Sequence, residues 1–133
     1  MKIHFFKFHG NGNDFILIDN RTANLNLNCE QIQKICDRRF GIGADGLLLL
    51  NNSLEYDFMM KYYNSDGKVG SMCGNGGRCI SAFAKCLGIV SNNMVFEAID
   101  GIHKAIILSE DLNSNIWDIR LSLADVIDVD MAD

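Results

Sequence analysis

With 133 residues, 48% hydrophobic and 22% charged, and a net charge of −5, the chain has the make-up of one soluble globular domain. No block of lysine or arginine offers a face to nucleic acid, and no apolar run nears the roughly 18 residues that span a bilayer. Met1 to Phe6 is too short an apolar stretch for a signal peptide, so the expected compartment is the cytoplasm, with no membrane or nucleic-acid partner.

Proline is absent, so glycine, asparagine, aspartate and serine must write the turns. Between those turn residues lie short apolar runs of strand type: Ile3 to Phe8, Phe15 to Asp19, Leu47 to Leu50, Phe58 to Tyr63, Lys68 to Met72, Met94 to Ile99, Ile102 to Leu108 and Ile116 to Leu123. Asp100-Gly101 between two such runs predicts a hairpin. Asn64-Ser65-Asp66-Gly67 predicts a second one with a longer loop. A first helix is expected from Cys29 to Phe40, with Asn28 as N-cap, Gln31 completing a capping box and Gly41 closing it. A second is expected from Asn75 to Leu87, ending at Gly88. It is apolar on nearly every side, and such a helix is a buried one. The expected fold is therefore α+β: a curled, mostly antiparallel sheet wrapped around the central second helix, the first helix peripheral, and Cys73 exposed at the mouth. The last stretch, Val126 to Asp133, begins like an element and stops without a turn or cap, which reads as a chain cut at a domain boundary.

Five cysteines, none in a Cys-x-x-Cys pair and none near His4, His9 or His103 in sequence, suggest neither a disulfide framework nor structural zinc. Cys29, Cys36, Cys79 and Cys86 read as small hydrophobes. Cys73 does not. It precedes Gly74-Asn75-Gly76-Gly77 at a helix entrance, where backbone N–H groups lack helical partners and attract negative charge. That environment favours a thiolate, and the glycines let an anion approach the backbone closely. A functional thiol acting on a carboxylate or another anion is the reading these residues support.

The other motifs are weaker. Gly41-Ile42-Gly43-Ala44-Asp45-Gly46 matches G-x-G-x-x-G, but a helix precedes it and a strand follows. That order is the reverse of a dinucleotide site, so it reads as a helix stop and strand entry that could line a site. His9-Gly10-Asn11-Gly12-Asn13-Asp14-Phe15 and Asn64-Ser65-Asp66-Gly67 are sound turns needing no function. Arg78 is as well explained by a surface ion pair as by a bound carboxylate.

Taken together and in order, the His9 to Phe15, Gly41 to Gly46 and Asn64 to Gly67 strings and Met72-Cys73-Gly74-Asn75-Gly76-Gly77-Arg78-Cys79 resemble the N-terminal half of diaminopimelate epimerases. The resemblance covers nearly the whole chain. It implies a cofactor-independent isomerase that interconverts LL- and meso-diaminopimelate in lysine biosynthesis, built from two similar lobes that close on the substrate. On it, residues 1–133 are the N-terminal lobe and the C-terminal lobe lies outside the chain. Cys73 is then one of two acid/base thiols, Gly74 and Asn75 cradle the carboxylate at the reacting centre, and Asn13 and Asn64 are substrate contacts. No cofactor or metal is implied. Many family members carry glutamine where this chain has Gly46, so a backbone group or water must replace that contact.

The family's second cysteine lies in the other lobe, and Cys79 cannot replace it: six residues along a helix is about 9 Å of rise on the same side of the substrate. The chain by itself is therefore expected to be inactive. A lone lobe also exposes the surface its partner should cover, which favours self-association, for example as a homodimer. Two other readings compete: a single-thiol hydrolase or transferase with His9 as base to Cys73, and a non-catalytic lobe that binds carboxylated metabolites.

Overall fold

The computed structural model describes residues 3–70, 73–111, 113 and 116–123. Seven strands form one sheet in sequence order: β1 (Phe6–Gly10), β2 (Asn13–Asp19), β3 (Gly46–Asn51), β4 (Phe58–Asn64), β5 (Asn93–Ala98), β6 (Gly101–Asp111) and β7 (Ile116–Leu123). Four of the six pairings are antiparallel, and β2–β3 and β4–β5 are parallel. Parallel neighbours need a crossover, and each has a helix: α1 (Cys29–Cys36) joins β2 to β3, and α2 (Gly74–Cys86) joins β4 to β5.

The two helices take opposite faces of the sheet. Side chains alternate along a strand, so Phe15, Leu17, Leu48 and Leu50 turn inward onto the cluster that contains Ile80 and Phe83 of α2. Ile16, Ile18, Leu47 and Leu49 turn outward onto Ile32 and Cys36 of α1. β2 and β3 are thus apolar at successive positions because both faces are covered. α2 packs against β1, β2, β3, β6 and β7, which makes it the axis about which the sheet curls. Its run from Cys79 to Ala84 is buried throughout. The expected α+β architecture, with a curled, mostly antiparallel sheet around a buried helix and a peripheral second helix, is the one observed.

Four local expectations need correction. α1 ends at Cys36, not Phe40. Asp37 leaves helical geometry, and its side chain accepts the Arg39 and Phe40 N–H groups at 2.8 and 2.9 Å, a local turn that outcompetes another helical turn. The returning loop then caps the helix, with Ile42 and Gly43 N–H on the Ile35 carbonyl and Ala44 N–H on that of Cys36. The strand expected from Lys68 to Met72 shrinks to one bridge, Tyr63 to Val69, while Met72 lies outside the described residues, as does the Val126 to Asp133 stretch. β1 starts at Phe6, later than the expected Ile3, and runs to Gly10. Cys73 is half-buried, not exposed.

The other local signals agree with the structure. Asn28 and Gln31 form the capping box, with both bonds at 2.8 Å. The β5–β6 hairpin forms, one residue earlier than Asp100-Gly101 implies: Ala98 pairs with Gly101, so Ile99 and Asp100 make the two-residue loop and Gly101 opens β6. α2 closes in a Schellman motif: Ile89 N–H reaches the Ala84 carbonyl and Gly88 N–H that of Lys85, with Gly88 at φ +79°.

Candidate active site

One end of the sheet gathers the residues of interest. β2 and β3 both start there and β4 ends there, because β2 is parallel to β3 and β4 is antiparallel to it. Register places Gly46 opposite Phe15 on one side and Asn64 on the other. The N-terminus of α2 arrives at the same edge, where the β1–β2 turn meets it. Asn75 Nδ2 donates to Asn13 Oδ1 at 2.5 Å, and Asn11 Nδ2 donates to Asn75 Oδ1 at 3.2 Å.

Cys73 is itself the N-cap of α2. Its backbone is extended, and its sulfur accepts the Gly76 N–H at 3.2 Å. The Cys73 thiol donates in turn to the Tyr62 phenol oxygen at 3.8 Å. Gly77 N–H makes the first helical bond, to the Cys73 carbonyl. Gly74 and Asn75 N–H therefore have no acceptor among the described residues, as the first turn of a helix dictates. Two open donors beside a half-buried thiol can hold a carboxylate against it. A Cβ at Gly76 would lie 3.0 Å from the Tyr62 ring, so any side chain there would press the ring away from the helix entrance.

Asn64 is placed by its turn. Its N–H goes to the Lys68 carbonyl, its carbonyl takes the Gly67 N–H, and Gln33 of α1 anchors the Asp66 carbonyl at 2.7 Å. The Asn64 side chain is exposed and lies against Gly70. Asn13, Asn64, Cys73, Gly74 and Asn75 thus share one end of the fold. His9 does not hydrogen-bond to the Cys73 sulfur; it lines a cleft of about 500 Å³ between β1, α2 and β7, with Arg78 and Trp117, that adjoins the site through Asn11 and Asn75. Arg78 donates to the Ile119 carbonyl at 3.3 Å and so ties α2 to β7. Cys79 is buried, and burial pushes its thiol up to about 12. No group of three or more His, Cys, Asp or Glu that could hold a metal ion occurs among the described residues.

The sequence reading missed the support beneath Asn13. Asp45, inside the G-x-G-x-x-G loop, accepts Asn13 Nδ2 at 3.1 Å and the Asp14 N–H at 3.2 Å. Asp14 Oδ1 accepts the Asp45 N–H in return, at 3.0 Å. Arg38 bridges the two carboxylates at 2.7 and 2.9 Å, and Lys7 reaches Asp14 at 2.8 Å. Only part of the signal is local: Asp14 follows one glycine-rich turn, Asp45 lies inside the other and Arg38 stands three residues before it. At Gly46, a side chain would begin 2.8 Å from the Tyr63 carbonyl. Backbone fills the place from which a family glutamine would have to start.

This network makes stability depend on acid. Arg38, then Lys7, hold the Asp14 carboxyl well below the usual carboxylate range, and Asn13 does the same for Asp45. A carboxyl depressed in the folded state stabilises it above the unfolded pKa, and that stabilisation is lost as pH falls through the folded one. The groups are partly exposed, so screening limits the Asp14 share to about 1 kcal/mol. Urea unfolding should therefore show stability falling below about pH 4, with Asp14→Asn flattening that fall; a variant curve parallel to wild type at every pH would contradict the assignment.

Against known proteins, a family model described as diaminopimelate epimerase matches residues 5–118. Diaminopimelate epimerase of Flavobacterium psychrophilum is 58% identical over 110 residues, which is 82% of this chain and 43% of that protein. The Chlorobaculum tepidum protein of the same name is 50% identical over 104 residues, 77% of this chain and 40% of its own length. The chain thus spans about two-fifths of these relatives. Among solved structures, methylitaconate-delta-isomerase superposes with a TM-score of 0.67 at 16% identity, over 84% of this chain and 61% of that one. A hydroxyproline epimerase from Agrobacterium vitis does so with a TM-score of 0.59 at 15% identity, over 92% and 46%. At those identities the likeness is one of fold.

Proposed function

This chain belongs to the diaminopimelate epimerase family, and we propose that residues 1–133 form the N-terminal lobe of an enzyme interconverting LL- and meso-diaminopimelate without a cofactor. In this reading the enzyme serves lysine biosynthesis in the cytoplasm. Among the described residues, no helix is long and apolar enough to cross a membrane. The observation that carries the proposal is the half-buried Cys73 sulfur at the α2 entrance, with the open Gly74 and Asn75 N–H groups beside it.

An amino-acid α-proton is weakly acidic, and without an electron sink the carbanion must be stabilised through the adjoining carboxylate. Gly74 and Asn75 N–H donate to that carboxylate, and the α2 dipole favours the charge that builds on it as the proton leaves. Cys73 as thiolate removes the proton from one face. A second thiol, from the lobe this chain does not include, gives a proton to the other face, and the centre inverts. Roles then reverse for the return reaction. Asn13, held by Asp45 and Asn75, and Asn64, at the end of β4, contact the substrate. Cys79 sits buried on the core side of α2 and takes no part.

The half-site predicts that the chain alone neither epimerises diaminopimelate nor exchanges its α-proton in deuterated water. Adding the C-terminal three-fifths of the Flavobacterium relative should restore both. Turnover by residues 1–133 alone, well above the uncatalysed rate, would falsify the half-site. Diaminopimelate binding by calorimetry without restored turnover would favour a carboxylate-binding lobe. The single-thiol reading loses support from the geometry, since the Cys73 sulfur has Gly76 and Tyr62 as partners and not His9.

A further inference from the structure

We propose that Tyr62 is a positioning residue for Cys73: once the thiol that donates to it has ionised, its phenol donates back to the sulfur and, with the Gly76 N–H, holds the thiolate facing the α2 entrance. The inference rests on the acid/base reading of Cys73 but is tested without it. Inward positions on β4 alternate as Phe58, Met60 and Tyr62. The first two are sealed in the core, and the third reaches the end of the sheet with a polar tip. Its ring is gripped on two sides, edge-on to Phe15 at a centroid distance of 5.8 Å and against the bare backbone of Gly76. A ring held in this way has little freedom to swing, so the 3.8 Å approach of its oxygen to the sulfur is built into the packing.

Burial, and then the neighbouring Cys73, push the Tyr62 phenol above its ordinary value. It therefore stays protonated across any working range and serves as a donor, not as a competing base. Among the described residues, the other charged or titratable groups that act on the pair are Asp45, at the entry to β3, on the phenol, and Cys79 on α2, which feels Cys73 and is itself faced by Arg78. Asp45 further disfavours a phenolate. When Cys73 is ionised, its sulfur accepts from both Gly76 N–H and the phenol. When Cys73 is protonated, the phenol oxygen accepts the S–H, the arrangement seen in the structure. One side chain thus fits both halves of an epimerisation cycle, and its own proton never leaves.

Tyr62→Phe keeps the ring and deletes only the O–H. Iodoacetamide alkylation of the full chain, read by mass spectrometry on the Cys73 peptide, separates it from the exposed Cys29 and Cys86. Near pH 7 the rate should drop about ten-fold in the variant, the effect of one lost hydrogen bond to a charged group. Above about pH 10 it should meet or pass the wild-type rate, because a less stabilised thiolate is the stronger nucleophile. A merely steric role for Tyr62 would instead change the rate by one factor at every pH. Replacing tyrosine by 3-fluorotyrosine, a stronger donor in the same shape, should raise the rate near pH 7 about two-fold, and it reads the same contact if the phenylalanine variant misfolds. A Tyr62→Phe profile that overlays wild type, or is displaced equally throughout, overturns the proposal and leaves the epimerase reading standing.

Discussion

Cys73→Ser in the two-lobe enzyme should lower kcat by about a thousand-fold or more while substrate affinity changes by only a few-fold. Positioned acid/base groups contribute roughly 10² to 10⁴ in rate, and in the proposed mechanism one thiol acts as base in one direction and as acid in the other. Serine is the informative replacement because Cys73 is also the helix cap. Its sulfur accepts the Gly76 N–H, and a serine oxygen does that at least as well. The fold and the Gly74–Asn75 cradle are thereby kept while the ionisable group is lost. Cys73→Ala removes both and should cost a further 1 kcal/mol or so in stability. The two variants together separate chemistry from capping. Deuterium uptake at the α-carbon with bound substrate is the measurement. A serine variant within ten-fold of wild type would mean that the base lies elsewhere.

What could be read from the chain divides along the range of the interactions concerned. α2 was legible to within a residue or so because its signals are local: a glycine-rich entry, apolar positions all round and Gly88 to close it. α1 ran four residues too long on paper. Ile35, Cys36 and Arg39 keep helical spacing, and only the folded loop reveals that Asp37 caps its own turn while Ile42 to Ala44 take the last carbonyls. Lys68 to Met72 looked like a strand, but its described residues make one bridge, Tyr63 to Val69, a matter that its own residues cannot decide. In the candidate site, Cys73, Gly74 and Asn75 announced themselves because one short string holds thiol, glycines and helix start. Asn13 and Asn64 stood in turns with complete structural explanations, and it took the family resemblance to single them out. Tyr62 and the Asp14, Arg38 and Asp45 group were missed. Arg38 and Asp45 are 7 positions apart, but the other contacts join residues 11 to 31 positions apart, and those longer meetings exist only once the sheet has curled.

Phe83→Ala is the substitution expected to damage the fold most, by about 3–5 kcal/mol, out of the roughly 5–15 kcal/mol that hold a typical domain together. Phe83 is 1% exposed at the centre of α2. Its ring meets Phe6 at 5.2 Å and, edge-on, Phe8 at 6.1 Å. Those two contacts matter beyond their area because β1 is an edge strand, with β2 as its only ladder partner among the described residues. Phe83 supplies much of what presses β1 onto the helix. β1 runs into the Asn11 to Asn13 turn that meets Asn75. A cavity under Phe6 and Phe8 should therefore loosen the hairpin first and, through it, the side of the site that Asn13 forms. Phe83→Leu, which refills most of the space, should cost much less and keep the hairpin seated. Urea midpoints give the stabilities, and amide exchange at Phe8 to Asn13 reports the hairpin. If Phe83→Ala costs under 1 kcal/mol, or if exchange in the hairpin stays at its wild-type rate, then α2 is not the axis on which this end of the sheet hangs.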